Sequence, residues 1–208
     1  STAGKARCVI ESRGTTRMQF AVKLGDMVEV TTTLYGNFGR KTGVGGAGFL
    51  VNNEMDDYRV KPGVPNMCGA IGVEANAIAP GKRMLSSMAP TIVLKGGRPY
   101  MVVGTPGGTT IPTSVNQTIV DVVDFNLTAA EAVNKPKFHH QWLPDEIQIE
   151  QGFHEDVKKK LQDMGYTVKV NFVAGYASTI GRVEVIKINH GKLEAAADKR
   201  GDNSAEGY

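Results

Sequence analysis

Adjacent threonines at Thr15 and Thr16, with a second run at Thr31, Thr32 and Thr33, put several hydroxyl groups where neighbouring strands could bring them together. A threonine hydroxyl attacks a carbonyl once a base takes its proton. Residues 18–22 and 27–34 are rich in strand-forming side chains, and Gly25-Asp26 offers a turn between them. A hairpin around that turn sets both threonine groups at one end of the pair. The same residues equally fit plain cross-strand packing, for which threonine is well suited.

Three further clusters have the chemistry of a binding site. Gly104-Thr105-Pro106-Gly107-Gly108-Thr109-Thr110 follows a strand-like segment and precedes a helical one, so its glycines can present N–H groups to an anion. It matches neither the dinucleotide nor the P-loop pattern, and a simple tight turn also accounts for it. Glu54, Asp56 and Asp57 could hold an ammonium group, and Ser86 and Ser87 could hold a carboxylate, which together suit a free amino acid. A solvated acidic turn and a helix cap are the plainer alternative. His139-His140-Gln141-Trp142 reads as a packed, hydrogen-bonded segment with no catalytic partner nearby in sequence.

The elements that must position these groups alternate in period along the chain. Strand-like segments at 18–22, 27–34, 91–95 and 100–103 come first, linked by turns at Gly25-Asp26 and Gly96-Gly97. Residues 113–125 and 128–134 then carry apolar side chains at helical spacing, and Thr128 followed by Glu131 is a capping box. A helix over 154–164 ends at Gly165, and strands follow at 167–172 and 182–189. This segregated order predicts an α+β fold with helices layered on sheets. The polar tail, 198–208, is expected to fray.

Composition narrows the function classes. The 24 basic and 21 acidic residues, formal net charge +3, are interspersed and form no basic stripe for nucleic acid. Cys8 and Cys68 match no zinc spacing, and the four histidines include one close pair, so neither a metal site nor a cofactor is implied. No apolar run reaches the roughly 18 to 20 residues that cross a bilayer. The chain starts at Ser1 without a methionine and is expected to be a piece of a longer product.

Taken together, Asn52-Asn53-Glu54-Met55-Asp56-Asp57, Lys61-Pro62-Gly63-Val64-Pro65-Asn66, Pro80-Gly81-Lys82-Arg83, Leu85-Ser86-Ser87-Met88, Pro106-Gly107-Gly108, Phe138-His139-His140-Gln141-Trp142-Leu143-Pro144-Asp145-Glu146 and Gly207-Tyr208 resemble gamma-glutamyltransferase small subunits in order and spacing. The likeness runs over 15–208. It implies an N-terminal-nucleophile hydrolase whose four-layered αββα sandwich is completed by a large subunit from the same precursor, this chain supplying roughly half. Residues 1–14 are then the tail of that large subunit, and 15–208 the catalytic small-subunit domain. Isolated from its partner, the chain is expected to expose apolar surface and aggregate.

The resemblance also assigns roles. Self-cleavage before Thr15 frees an α-amine that titrates near neutral pH and can take the hydroxyl proton. Thr33 orients the Thr15 hydroxyl, and the Gly107 and Gly108 N–H groups form an oxyanion hole. Tyr35, Glu54 and Asp57 contact the donor, Glu54 and Asp57 through its α-ammonium, and Ser86 and Ser87 bind its α-carboxylate. The implied reaction moves a γ-glutamyl group from glutathione or a related amide through a Thr15 ester to water, an amino acid or a peptide. Bacterial members imply a periplasmic or secreted location. Three positions depart from the family: Arg17 replaces a His, Tyr35 an Asn, and Cys68 a Tyr on the segment 61–73 that covers the site. Arg17 would put a cation near the Thr15 amine. A homologue that keeps the fold without turnover, and an acylase acting on a glutaryl-type amide, are the alternatives.

Overall fold

The computed structural model describes residues 5–10, 15–22, 25–59, 61, 63–173, 176–177 and 179–207, with backbone alone for 5–10, 172–173 and 176–177. The elements run β1 (Lys5–Ile10), β2 (Thr15–Val22), β3 (Met27–Thr33), two 3₁₀ turns (Glu54–Asp57 and Glu74–Asn76), β4 (Thr91–Lys95), β5 (Arg98–Gly104), α1 (Thr110–Val123) and α2 (Ala129–Asn134). They continue through β6 (Phe138–His139), β7 (Ile147–Ile149), α3 (Glu155–Asp163), β8 (Val168–Val170), β9 (Phe172–Val173), β10 (Tyr176–Ala177), β11 (Glu184–Asn189), β12 (Lys192–Ala197) and β13 (Asn203–Gly207).

Two four-stranded antiparallel sheets form the centre, in the orders β13-β1-β2-β3 and β12-β11-β5-β4. They pack on each other through β2 and β3 against β5, and β1 against β11 and β12. Helices α1 and α2 cover the other face of the second sheet. That sheet is therefore a middle layer, and Met101, Val102 and Val103 on β5 are all fully buried: Met101 and Val103 toward the helices, Val102 toward the first sheet. A strand covered on both faces loses the alternation of polar and apolar residues. A smaller sheet, β6-β7-β8, joins an antiparallel and a parallel pair.

In the first sheet, by contrast, β2 and β3 alternate in burial along the strand. Thr15, Arg17, Gln19 and Ala21 share the face of β2 turned to the second sheet. The opposite face carries cross-strand pairs Met18–Val30 and Phe20–Val28, of which Phe20, Val28 and Val30 are 37%, 49% and 38% exposed.

The capping box forms as expected: Thr128 and Glu131 exchange side-chain and backbone hydrogen bonds at the start of α2. One expectation fails. Residues 203–207 do not fray but form β13, paired with β1 from Asn203↔Ile10 to Gly207↔Ala6. An edge strand draws its stability from backbone bonds, so the polar Asn-Ser-Ala-Glu-Gly run gave no apolar signal.

Candidate active site

The β2–β3 register sets Thr15 directly opposite Thr33, and their Oγ1 atoms lie 2.9 Å apart. Thr33 Oγ1 also accepts a 2.8 Å hydrogen bond from the Tyr35 N–H. Tyr35 takes φ +73, a left-handed backbone that costs an L-residue roughly 1 to 2 kcal/mol. The strained turn carries its side chain from the threonine pair to a second cluster. There the Tyr35 hydroxyl faces the Asp57 carboxylate and the Cys68 thiol, and it accepts a 3.1 Å bond from Asn66 Nδ2. Burial first, then Cys68 and Asp57, push the Tyr35 phenol well above its ordinary range.

Asp57 ends a 3₁₀ turn and is 7% exposed. Burial raises its pKa, opposed by hydrogen bonds from the Tyr35 hydroxyl and the Ser87 backbone N–H, while Asp56 adds to the rise. Its Oδ2 has no hydrogen-bond partner among the described residues. A buried carboxylate oxygen without a donor is costly, and an ammonium group is the donor that would serve it best. Burial and the neighbouring Asp57 raise the pKa of Glu54 in the same turn. Asp57, Ser86, Ser87, Asn66, Cys68 and Thr109 line one cavity of about 760 Å³.

Gly107 and Gly108 open helix α1 with φ +146 and +58. Their carbonyls accept from Thr110 and Ile111, and among the described residues neither N–H donates. Gly108 touches the loop of the second cluster: a Cβ added to it would lie 2.8 Å from Cys68 Sγ. Gly107 instead faces a smaller recess of about 270 Å³ with Gly181, Arg182 and Arg200. Thus Thr33, Tyr35, Asp57 and Ser87 link directly from Thr15, Glu54 adjoins Asp57, Ser86 shares the cavity and Gly108 joins through Cys68. Gly107 lies outside that cavity.

Arg17, two residues along β2 from Thr15, is 1% exposed and ion-paired with Glu29. Its guanidinium fills the space beside Gly104, where an added Cβ would sit 1.2 Å from Nη2. Burial lowers its pKa to about 10, although the Glu184 carboxyl opposes that shift. Glu184 is fully buried with neither carboxyl oxygen hydrogen-bonded among the described residues, and burial raises its pKa to about 8. The Arg17 charge is therefore met by Glu29 inside the sheet interface.

The family model of Gamma-glutamyltranspeptidase matches residues 1–208. The chain belongs to the gamma-glutamyltranspeptidase family. It is 44% identical over 200 residues to the glutathione hydrolase proenzyme of Escherichia coli strain K12, which covers 95% of this chain and 33% of that relative. A mutant of the Helicobacter pylori gamma-glutamyltranspeptidase superposes with TM-score 0.81 at 43% identity, covering 88% of this chain and 98% of the solved chain. An acivicin-inhibited gamma-glutamyltranspeptidase, whose C-terminus has critical roles in autoprocessing and catalysis, gives 0.82 at 43% identity, with 89% and 98% covered. The chain thus spans about a third of the length of the proenzyme it matches.

From the sequence, Glu29 and Glu184 had no part assigned, and Asn66 and Gly104 stood only within the segments 61–66 and 104–110 without the parts they play here. Asn66 organises the loop after Pro65 through its own side chain, accepting from the Cys68 and Ala70 N–H groups at 3.0 and 2.9 Å; the Pro-Asn pair was its turn signal. Glu184 stands between Val183 and Val185 on a strand buried on both faces, a polar residue in an apolar run. Glu29 had a similar signal between Val28 and Val30. Gly104 lies at the close of β5, and its need for a missing side chain appears only once Arg17 is placed on it.

Proposed function

We propose that residues 15–208 of this chain are the catalytic small subunit of a γ-glutamyl hydrolase and transferase, released by cleavage of the bond between Gly14 and Thr15. The observation that carries the reading is the Thr15–Thr33 hydroxyl pair at 2.9 Å. Once cleaved, Thr15 holds both a hydroxyl and an α-amine, which can take the hydroxyl proton at neutral pH. Thr33 fixes the direction of attack, and the Gly107 and Gly108 N–H groups receive the negative charge of the tetrahedral intermediate. Each such donor is worth about 2.7 to 4 kcal/mol.

The donor pocket follows from charge. Asp57, with its unpartnered Oδ2, and Glu54 take the α-ammonium of a γ-glutamyl group, and Ser86 and Ser87 take its α-carboxylate. An acyl group without the α-ammonium leaves Asp57 unmatched, so a glutaryl-type amide is the poorer substrate. Glutathione and related γ-glutamyl amides are the proposed donors, with water, amino acids or peptides as acceptors.

The large part of the precursor supplies the rest of a four-layered αββα sandwich. Sheet, sheet and helix layers are in place in this chain, and the Phe20–Val28–Val30 face of the first sheet awaits helices from the preceding segment. A periplasmic or secreted location goes with this reading.

The test is to incubate the full processed precursor with a γ-glutamyl anilide, quench early and weigh the chains. A γ-glutamyl adduct on the chain beginning at Thr15, absent from Thr15→Ala, supports the mechanism. Turnover with no adduct, or an adduct elsewhere, sinks it.

A further inference from the structure

Thr113, His139 and Gln141 line the 760 Å³ cavity on the side away from Asp57 and are joined in one chain of hydrogen bonds. Thr113 Oγ1 on α1 lies 2.9 Å from His139 Nδ1, His139 Nε2 lies 2.9 Å from Gln141 Oε1, and Gln141 Nε2 donates to the Gly69 carbonyl at 3.1 Å. Gln141 Nε2 also donates to the Leu143 carbonyl at 3.1 Å. Two carbonyls fix which end of the amide faces which way, because only the nitrogen can donate to both. Gln141 Oε1 is then turned to the ring and His139 Nε2 carries the hydrogen, while Nδ1 lies 2.9 Å from a Thr113 hydroxyl that also donates to the Thr110 carbonyl at 2.9 Å. His139 is 2% exposed.

The far end of the chain of bonds is the loop 66–70, which forms one wall of the 760 Å³ cavity. That loop is held on its other flank by Asn66 Nδ2 to Tyr35 Oη at 3.1 Å and by the Met67 N–H to Asp56 Oδ2 at 2.8 Å. It crosses between two anchors, the 3₁₀ turn of Asp57 on one side and α1 with β6 on the other. The second anchor needs close approach: Gly69 has φ +77, and a Cβ there would come within 3.2 Å of Gln141 Nε2. Cys68, one residue before the anchored carbonyl, meets both Tyr35 and Gly108.

We propose that Thr113, His139 and Gln141 form a clasp that holds the loop 66–70 closed over the donor pocket, with Gln141 as a positioning residue for the proposed γ-glutamyl transfer. This rests on that functional reading. The clasp touches no reacting atom, so its contribution is to donor affinity: it keeps Asn66, Cys68 and Tyr35 in place around Asp57.

The test uses the full precursor after processing, with Gln141→Met, Thr113→Val and Thr113→Ser. Hydrogen exchange at the Cys68, Gly69 and Ala70 amides and the split between KM and kcat for a γ-glutamyl anilide are measured together. In Gln141→Met the three amides exchange faster and KM rises roughly tenfold while kcat falls less than about threefold, the mark of lost binding rather than lost chemistry. Thr113→Val follows in the same direction and Thr113→Ser stays with the parent, and this pair decides the matter should Gln141→Met fail to fold. Unchanged exchange and KM in Gln141→Met or Thr113→Val overturn the clasp, as does loss of kcat at constant KM. If the parent shows no turnover the functional reading fails, and amide exchange still tests the clasp by itself.

Discussion

Thr15 and Thr33 face each other at 2.9 Å because the hairpin register pairs them residue for residue, as the last of seven pairs that begin with Ala21–Met27 on β2 and β3. The same Thr33 oxygen accepts from the Tyr35 N–H, so one hydroxyl ties Thr15 to the turn from which Tyr35 reaches Asp57. Thr33→Val keeps the shape and removes both bonds. Turnover of the processed enzyme should fall roughly 100-fold, the scale expected when a reacting group loses its orientation, while Thr33→Ser should retain most of it. Steady-state kinetics on the two variants check this.

Gly108 pairs a left-handed φ of +58 with a Cβ position 2.8 Å from Cys68 Sγ. Gly108→Ala should lower stability by about 1 to 3 kcal/mol through backbone strain and overpacking. Cys68→Ala removes the sulfur but not the strain, so the double variant should regain part of the loss. Denaturant unfolding of both single variants and the double closes the cycle; strict additivity would contradict the contact.

Glu184 gives the fold a pH dependence of definite sign. Its carboxyl binds a proton more tightly when folded, with a pKa raised by burial to about 8 from 4.5. Its contribution to stability is complete below about pH 4.5 and is lost as pH rises through about 8, by up to roughly 1.4 kcal/mol per pH unit inside that window. Glu184→Gln cannot ionise, so its stability should decline less between pH 5 and pH 8 than the parent's. Urea unfolding at the two pH values measures the difference.

The Tyr35 hydroxyl lowers the pKa of Asp57 against the upward push of burial. Tyr35→Phe removes that hydrogen bond, so Asp57 should titrate at higher pH. If the Asp57 carboxylate binds the donor as proposed, the acid limb of kcat/KM should therefore move upward in the variant. A pH profile with an unmoved acid limb would place Asp57 outside donor binding.

Much of this arrangement was legible in the chain itself. The β2–β3 hairpin followed from alternating β-branched residues around Gly25-Asp26, and its register then brought Thr15 to Thr33 without any long-range information. The cap of α2 was visible as Thr128 and Glu131. Long-range partners were not visible. Nothing local says that Arg17 lies on Gly104, or that Gln141 reaches the Gly69 carbonyl 72 residues away, because those contacts arise only when the sheets and the loop 66–70 close on each other. Strand β13 was missed for a different reason: its polar side chains carry no burial pattern, and its place is set by main-chain bonds to β1.

The central claim is that Thr15 becomes a chain terminus and attacks from there. Intact mass with N-terminal sequencing of the full precursor, followed over hours after purification, tests it most directly. The account predicts a new chain beginning at Thr15 in the parent and an uncut Thr15→Ala precursor. A parent that stays whole, or a new terminus at any other residue, contradicts it.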